Sequence, residues 1–91
     1  MNEKKLNGIR FNVVKYLSNI IGLENLLLFE NKKRDKKRLS KKIKIYYNLI
    51  YKEISPLKEE NINIQNVFSF LSGEYNNVLK KVLTYYKIEN K

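Results

Sequence analysis

The chain has 91 residues, 43% of them hydrophobic, and a formal net charge of +10. This length corresponds to one domain with a thin core, and this apolar content is typical of a folded chain. Cysteine and histidine are both absent, which excludes disulfides, thiolate chemistry and the commonest zinc ligands, and removes the usual general base. We therefore expect a single domain over 1–91 that is not an enzyme and holds no metal or cofactor.

The N-terminal third of the chain predicts two helices. Over residues 2–21, apolar side chains recur every three or four positions, Asn2 can cap the first turn, and Gly22 stands where a helix commonly ends. Residues 24–30 form a short segment that contains four consecutive apolar residues, 26–29. Since no nearby segment offers a strand to pair with, we interpret them as a second, buried helix.

The positive charge is concentrated in residues 32–44. This segment carries nine of the nineteen basic residues and one acidic residue, Asp35, so its net charge is +8. A general bias toward lysine would spread the charge along the chain, and therefore would not produce this cluster. The clustering is the most informative feature of the sequence.

Residues 34–54 predict the clearest helix. At 100° per residue, an apolar stripe on this helix contains Leu39, Ile43, Tyr46, Ile50 and Ile54. The stripe would dock on a core and hold the charged side chains outward. The residues that we predict to form this outward surface are Lys33, from the connection before the helix, and then Arg34, Lys37, Arg38, Lys41, Lys44, Asn48 and Lys52.

The C-terminal third predicts a turn or loop over 56–63, because Pro56 disfavours helix at Ser55, and then helices over 64–72 and 74–87 separated at Gly73. With the earlier segments, this gives an all-α chain, a small four- to five-helix bundle with one strongly basic helix face. The last two helices have the outline of a helix-turn-helix. An ordinary helical hairpin is the favoured interpretation, since Ser72 and Gly73 do not match the usual residues of that turn.

A row of cations on a rigid helix is suited to the phosphates of a nucleic acid. We therefore expect a non-enzymatic protein that binds DNA or structured RNA, mainly through phosphate contacts. Tyr47, Tyr51 and Tyr85 are predicted at the margins of the apolar stripes, where they could stack on bases or anchor an interface. Ser40 and Lys44 lie one turn apart but on the wet side of the helix, so they predict no catalytic pair.

A different class of function is also compatible with the sequence. A small interaction protein encoded by a mobile element, such as a phage inhibitor of a host enzyme, would bind an acidic protein surface through the same cations. Small bacteriocin-immunity proteins are similar in size, basicity and helical character. A membrane-surface role is the least favoured, because the core already uses the apolar stripe. A homodimer is compatible with the thin core, and we expect a cytoplasmic location.

Overall fold

The structure is a computed structural model that describes residues 1–88. Over this range the chain forms four α-helices and no strand, so the predicted all-α class is confirmed. The helices are α1 (Glu3–Phe29), α2 (Lys33–Glu59), α3 (Ile64–Val67) and α4 (Gly73–Tyr85). Helices α1 and α2 form a long antiparallel hairpin, α4 packs on both of them, and the molecule measures 45 × 21 × 19 Å.

Helix α1 is continuous where the sequence predicted two helices, 2–21 and 24–30. The Asn2 side chain accepts a hydrogen bond from the Lys5 amide at 2.8 Å, as expected of a cap. Gly22 does not end the helix. An interior glycine costs only about 1 kcal/mol, and packing beyond it offsets that cost, since Leu27 contacts the core and Glu24 pairs with Lys81 of α4 at 3.2 Å.

Helix α2 also runs further than predicted, through Ser55 and Pro56 to Glu59. The prediction of a turn or loop over 56–63 was therefore wrong for its first four residues. Proline removes one backbone hydrogen bond from a helix, but Ile54 and Leu57 on either side of it are fully buried. Their packing holds the last turn in helical form.

Helices α2 and α4 end with the same backbone arrangement. The residue after each cap, Asn61 or Lys87, has a φ of 56°, and the amide of the next residue bonds at 2.8 Å to a carbonyl in the last turn. This pattern satisfies carbonyls that the helix leaves unpaired. Ile88, which follows Lys87, is buried in the core and fixes the end of the described chain.

Helix α3 is a single turn, where the sequence predicted a helix over 64–72. Asn63 caps it by accepting a hydrogen bond from the Asn66 amide at 3.1 Å. Turns follow it until Gly73, whose φ of 58° begins α4 one residue before the predicted start at 74. Arg10 of α1 donates to the Val67 carbonyl at 3.0 Å and holds α3 against α1. The segment therefore lacks the first helix of a helix-turn-helix.

The core is one continuous apolar cluster to which every helix contributes. It contains the predicted α2 residues Ile43, Ile50 and Ile54, whereas Leu39 and Tyr46 of the same stripe are half-buried. The buried residues of α4 are Val78, Leu79, Val82 and Leu83. None of the helices in the described range combines the length and the hydropathy that crossing a bilayer requires.

Candidate functional site

The eight residues predicted to face outward all lie on α2, and all eight side chains are exposed. They extend from Lys33, the first residue of the helix, to Lys52, about three quarters of the way along it. The four buried residues of α2, which are Ile43, Ile50, Ile54 and Leu57, lie on the opposite side of the helix. Because these apolar residues pack on α1 and α4, the orientation of the helix in the fold also fixes the direction of its charged side chains.

Few carboxylates lie close to this set of cations. Within residues 1–88, Arg38 is the one member in an ion pair, with Asp35 at 3.7 Å, and Arg38 itself remains largely exposed. The other ion pairs of the described chain involve Arg10, Lys81 and the N-terminal amine. Exposed pairs of this kind contribute little energy, so the positive potential of α2 is largely uncompensated by the described residues.

The geometry of an α-helix sets the spacing of these charges. Lys37, Lys41, Lys44, Asn48 and Lys52 follow one another at steps of three or four residues, so each is about 4.5–6 Å along the axis from the next. From Lys37 to Lys52 the row is about 22 Å long. At about 3.4 Å per nucleotide along one strand of a duplex, a row of this length spans about six phosphates.

An apolar residue on the same side of α2 was not predicted as part of the site. Ile45 is 60% exposed and borders a shallow groove of about 490 Å³ between α1 and α2. The groove also contains Leu23, Leu26, Leu49 and Lys42. The sequence could have predicted that Ile45 is exposed, because its position on the helix falls well outside the apolar stripe that Ile43 and Ile50 define.

The tyrosines form a cluster where α2 meets the end of α4. Tyr47 and Tyr85 make an edge-to-face contact with ring centroids 5.5 Å apart, and Tyr51 and Tyr86 stack at 4.4 Å. Burial raises the pKa of the Tyr47 hydroxyl above the ordinary value of 10.0, and Glu24 raises it further. Since Tyr51 is stacked within the protein, one face of its ring is not free for a base. Tyr85 is the exposed member.

The end of α1 differs from its prediction. Residues 24–30 were expected to be a buried helix, but Leu26, Leu28 and Phe29 are exposed. The last buried residue of α1 is Ile20, and of the residues 26–29 Leu27 alone packs against the core. These side chains lie directly before the basic start of α2.

No group of three histidine, cysteine, aspartate or glutamate residues in the described part of the chain is arranged to hold a metal ion. Comparison with protein-family models, with curated proteins and with solved structures gives no match.

Proposed function

We propose that the protein binds DNA or structured RNA through the basic face of α2, defined as Lys33, Arg34, Lys37, Arg38, Lys41, Lys44, Asn48 and Lys52. The observation that carries the proposal is the exposure of all seven cations on one helix, with a single ion pair among them in the described chain. The protein acts by binding alone. No residue of the face is arranged for catalysis in this proposal.

The electrostatics of α2 support a polyanionic ligand. Like charges one helical turn apart repel each other, and cations in a first turn oppose the positive end of the helix dipole. Asp35 is the one acidic residue of the first turn of α2, where Lys33 and Arg34 also lie. A phosphate chain relieves this repulsion, and each contact releases condensed counterions.

The contacts of this face are made with the nucleic-acid backbone. Lysine ammonium groups bind phosphates as point charges and carry no sequence information themselves. Asn48 is the one uncharged polar residue of the face and supplies amide hydrogen bonds to a phosphate or a base edge. Binding is therefore tight at low salt and weakly dependent on sequence.

The proposal is tested by fluorescence anisotropy with a labelled DNA duplex and a labelled RNA hairpin over a series of salt concentrations. With about five phosphate contacts, log K should fall with log salt at a slope of about −4 to −5. The double substitution Lys41→Gln with Lys44→Gln should make the slope of log K against log salt less negative by about two. The matched control is Lys4→Gln with Lys5→Gln, two exposed lysines at the start of α1, which should leave the slope unchanged. Undetectable binding to both nucleic acids at low salt would contradict the proposal.

The groove between α1 and α2 favours a second candidate, a small interaction protein that binds an acidic partner. Leu26 and Ile45 are 59% and 60% exposed at this groove, and Lys42 borders it. An amphipathic helix with carboxylates beside its apolar stripe would bury the leucine and isoleucine and pair with the lysine.

The two candidates are separated by affinity capture from a nuclease-treated lysate. The second candidate requires a stoichiometric protein partner that survives nuclease and is lost when Leu26 and Ile45 are replaced by Asn. The control substitution Phe11→Asn, at an exposed position of α1 outside the groove, should retain the partner. Loss of all captured material after nuclease treatment would contradict the second candidate.

A further inference from the structure

The turn that joins α1 to α2 presents an exposed apolar group beside a cluster of cations. Leu28 is 79% exposed and Phe29 is 83% exposed at the end of α1. The connection 30–32 follows, and α2 begins at Lys33. We call residues 26–37 the hairpin tip.

The apolar side chains of the hairpin tip point in several directions. Successive residues of a helix are about 100° apart, so Leu26, Leu28 and Phe29 project around the end of α1 instead of forming one stripe. Only Leu27 among these four residues packs against the core. A groove on a folded protein would bury only those side chains that project toward it. The fluid interior of a bilayer can bury all three, because it adapts to side chains that point in different directions.

The cations of the hairpin tip complement an anionic surface. Lys32, Lys33, Arg34, Lys36 and Lys37 are all exposed. The acidic residues within the tip are already engaged, because the Glu30 carboxylate accepts a hydrogen bond from the Lys32 amide at 3.0 Å and Asp35 faces Arg38. The N-terminus of α2 adds its positive dipole end at the same place.

We propose that the hairpin tip docks on bilayers that contain anionic phospholipid. Leu26, Leu28 and Phe29 enter the interfacial region, and the flanking lysines contact lipid phosphates. A small apolar anchor alone binds a bilayer only marginally, and a polybasic segment beside it supplies the second attraction that stable docking needs. This is peripheral binding by the end of a hairpin, in which none of α1 to α4 crosses the membrane.

The inference does not depend on nucleic-acid binding. Lys44 and Lys52 lie about 16 Å and 28 Å along α2 from Lys33, so the distal part of the basic face stays away from a bilayer that the tip touches. Substitutions in the two places should therefore separate the two activities. Lys41→Gln with Lys44→Gln should weaken nucleic-acid binding, and Phe29→Asn should weaken vesicle binding alone.

The first test is co-sedimentation of the full chain, free of nucleic acid, with vesicles of phosphatidylcholine alone or mixed with phosphatidylglycerol. Binding should require phosphatidylglycerol and weaken with salt. Phe29→Asn should reduce the affinity about tenfold, because the bilayer no longer buries an aromatic side chain that is exposed in the free protein. The matched control Phe11→Asn replaces another exposed phenylalanine about 27 Å away along α1 and should bind normally.

The second test places a reporter at the tip. The chain has no tryptophan, so Phe29→Trp and Phe11→Trp each introduce a single fluorophore. On phosphatidylglycerol vesicles, only Phe29→Trp should shift its emission to the blue and be quenched by brominated lipid. Equal responses of the two variants, no response of either, or equal binding to neutral vesicles would overturn the proposal. If the hairpin tip binds another protein or a second copy of the chain instead, the emission of Phe29→Trp should not change on vesicles that contain no protein.

Discussion

The ring of Tyr51 on α2 stacks on the ring of Tyr86 at the end of α4, with centroids 4.4 Å apart and planes 22° from parallel. Tyr85 adds an edge-to-face contact with Tyr86 at 4.9 Å. These rings join the C-terminal end of α4 to the C-terminal half of α2, the helix that carries the basic face. The contact therefore links the stability of α4 to the position of α2.

Removal of the Tyr86 ring should destabilise the fold. We expect Tyr86→Ala to lower the free energy of unfolding by about 2 kcal/mol, because a half-buried ring and its stacking contact are both lost. Tyr86→Phe keeps the ring and should remain close to the wild type. Urea unfolding followed by far-ultraviolet circular dichroism measures both variants. Equal stability of Tyr86→Ala and the wild type would contradict a structural role for the stack.

The free energy of unfolding should fall at alkaline pH, because tyrosines of the same cluster ionise. Burial, and then Tyr85 and Tyr51, raise the pKa of Tyr86 above the ordinary value of 10.0, and the pKa of Tyr47 is also raised. Below that value both the folded and unfolded chains hold these protons. As the pH rises through 10.0, the unfolded chain releases them first, so unfolding becomes more favourable.

Urea midpoints measured between about pH 8 and pH 11, on either side of the ordinary tyrosine pKa, test this alkaline effect. Tyr86→Phe should lose less stability over the range than the wild type. The comparison between the two proteins cancels the ionisation of the lysines, which both share. Identical pH profiles would show that Tyr86 does not contribute.

Two of the three glycines carry opposite predictions. Gly22 lies inside α1 with open space where a Cβ would point, so Gly22→Ala should stabilise the protein by about 0.5–1 kcal/mol. Gly73 also has open space, but its φ of 58° is strained for any other residue, and Gly73→Ala should destabilise by about 1 kcal/mol. Thermal unfolding of both variants measures the signs. A stabilising Gly73→Ala would contradict the left-handed start of α4.

Asp35 offers a test of the basic face in which affinity and stability change in opposite directions. Asp35→Asn removes the one carboxylate of the segment 32–44 and frees Arg38. Affinity for nucleic acid at low salt should rise about two- to threefold, because a repulsive charge beside the phosphates is gone. Stability should fall by about 0.5 kcal/mol, because a carboxylate is lost from the first turn of α2.

Anisotropy titrations and urea unfolding measure the two effects of Asp35→Asn. Glu59→Gln is the matched control, since Glu59 is exposed at the other end of the same helix. The control should leave affinity unchanged. An Asp35→Asn variant with unchanged or weaker affinity would indicate that nucleic acid is bound elsewhere or not at all.

Sequence patterns correctly predicted those features that depend on neighbouring residues of the same helix. The Asn2 and Asn63 caps are correct, and so is the burial of Ile43, Ile50 and Ile54 on α2, because side-chain periodicity on a helix directly determines which side meets a core. The exposure of the eight predicted site residues followed from the same periodicity.

Features that depend on distant contacts could not be predicted in the same way. Gly22 and Pro56 are ordinary helix-ending residues, yet the helices continue through them because residues beyond each, Leu27 and Leu57, pack against the core. Leu28 and Phe29 are exposed because no neighbouring helix of the described chain packs over them at the end of α1. An apolar run gives no sign of whether a neighbouring helix reaches it.

The first ten residues of α2, 33–42, contain no buried side chain, and no side-chain hydrogen bond caps their start. The helix in this segment is therefore held mainly by its connection to the packed part of α2, which begins at Ile43. We expect residues 33–42 to unfold locally while the rest of the molecule stays folded. Any anion that binds only the closed form raises the free energy of that opening by linkage. Amide hydrogen exchange in this segment would thus report ligand occupancy under native conditions, without unfolding of the whole chain.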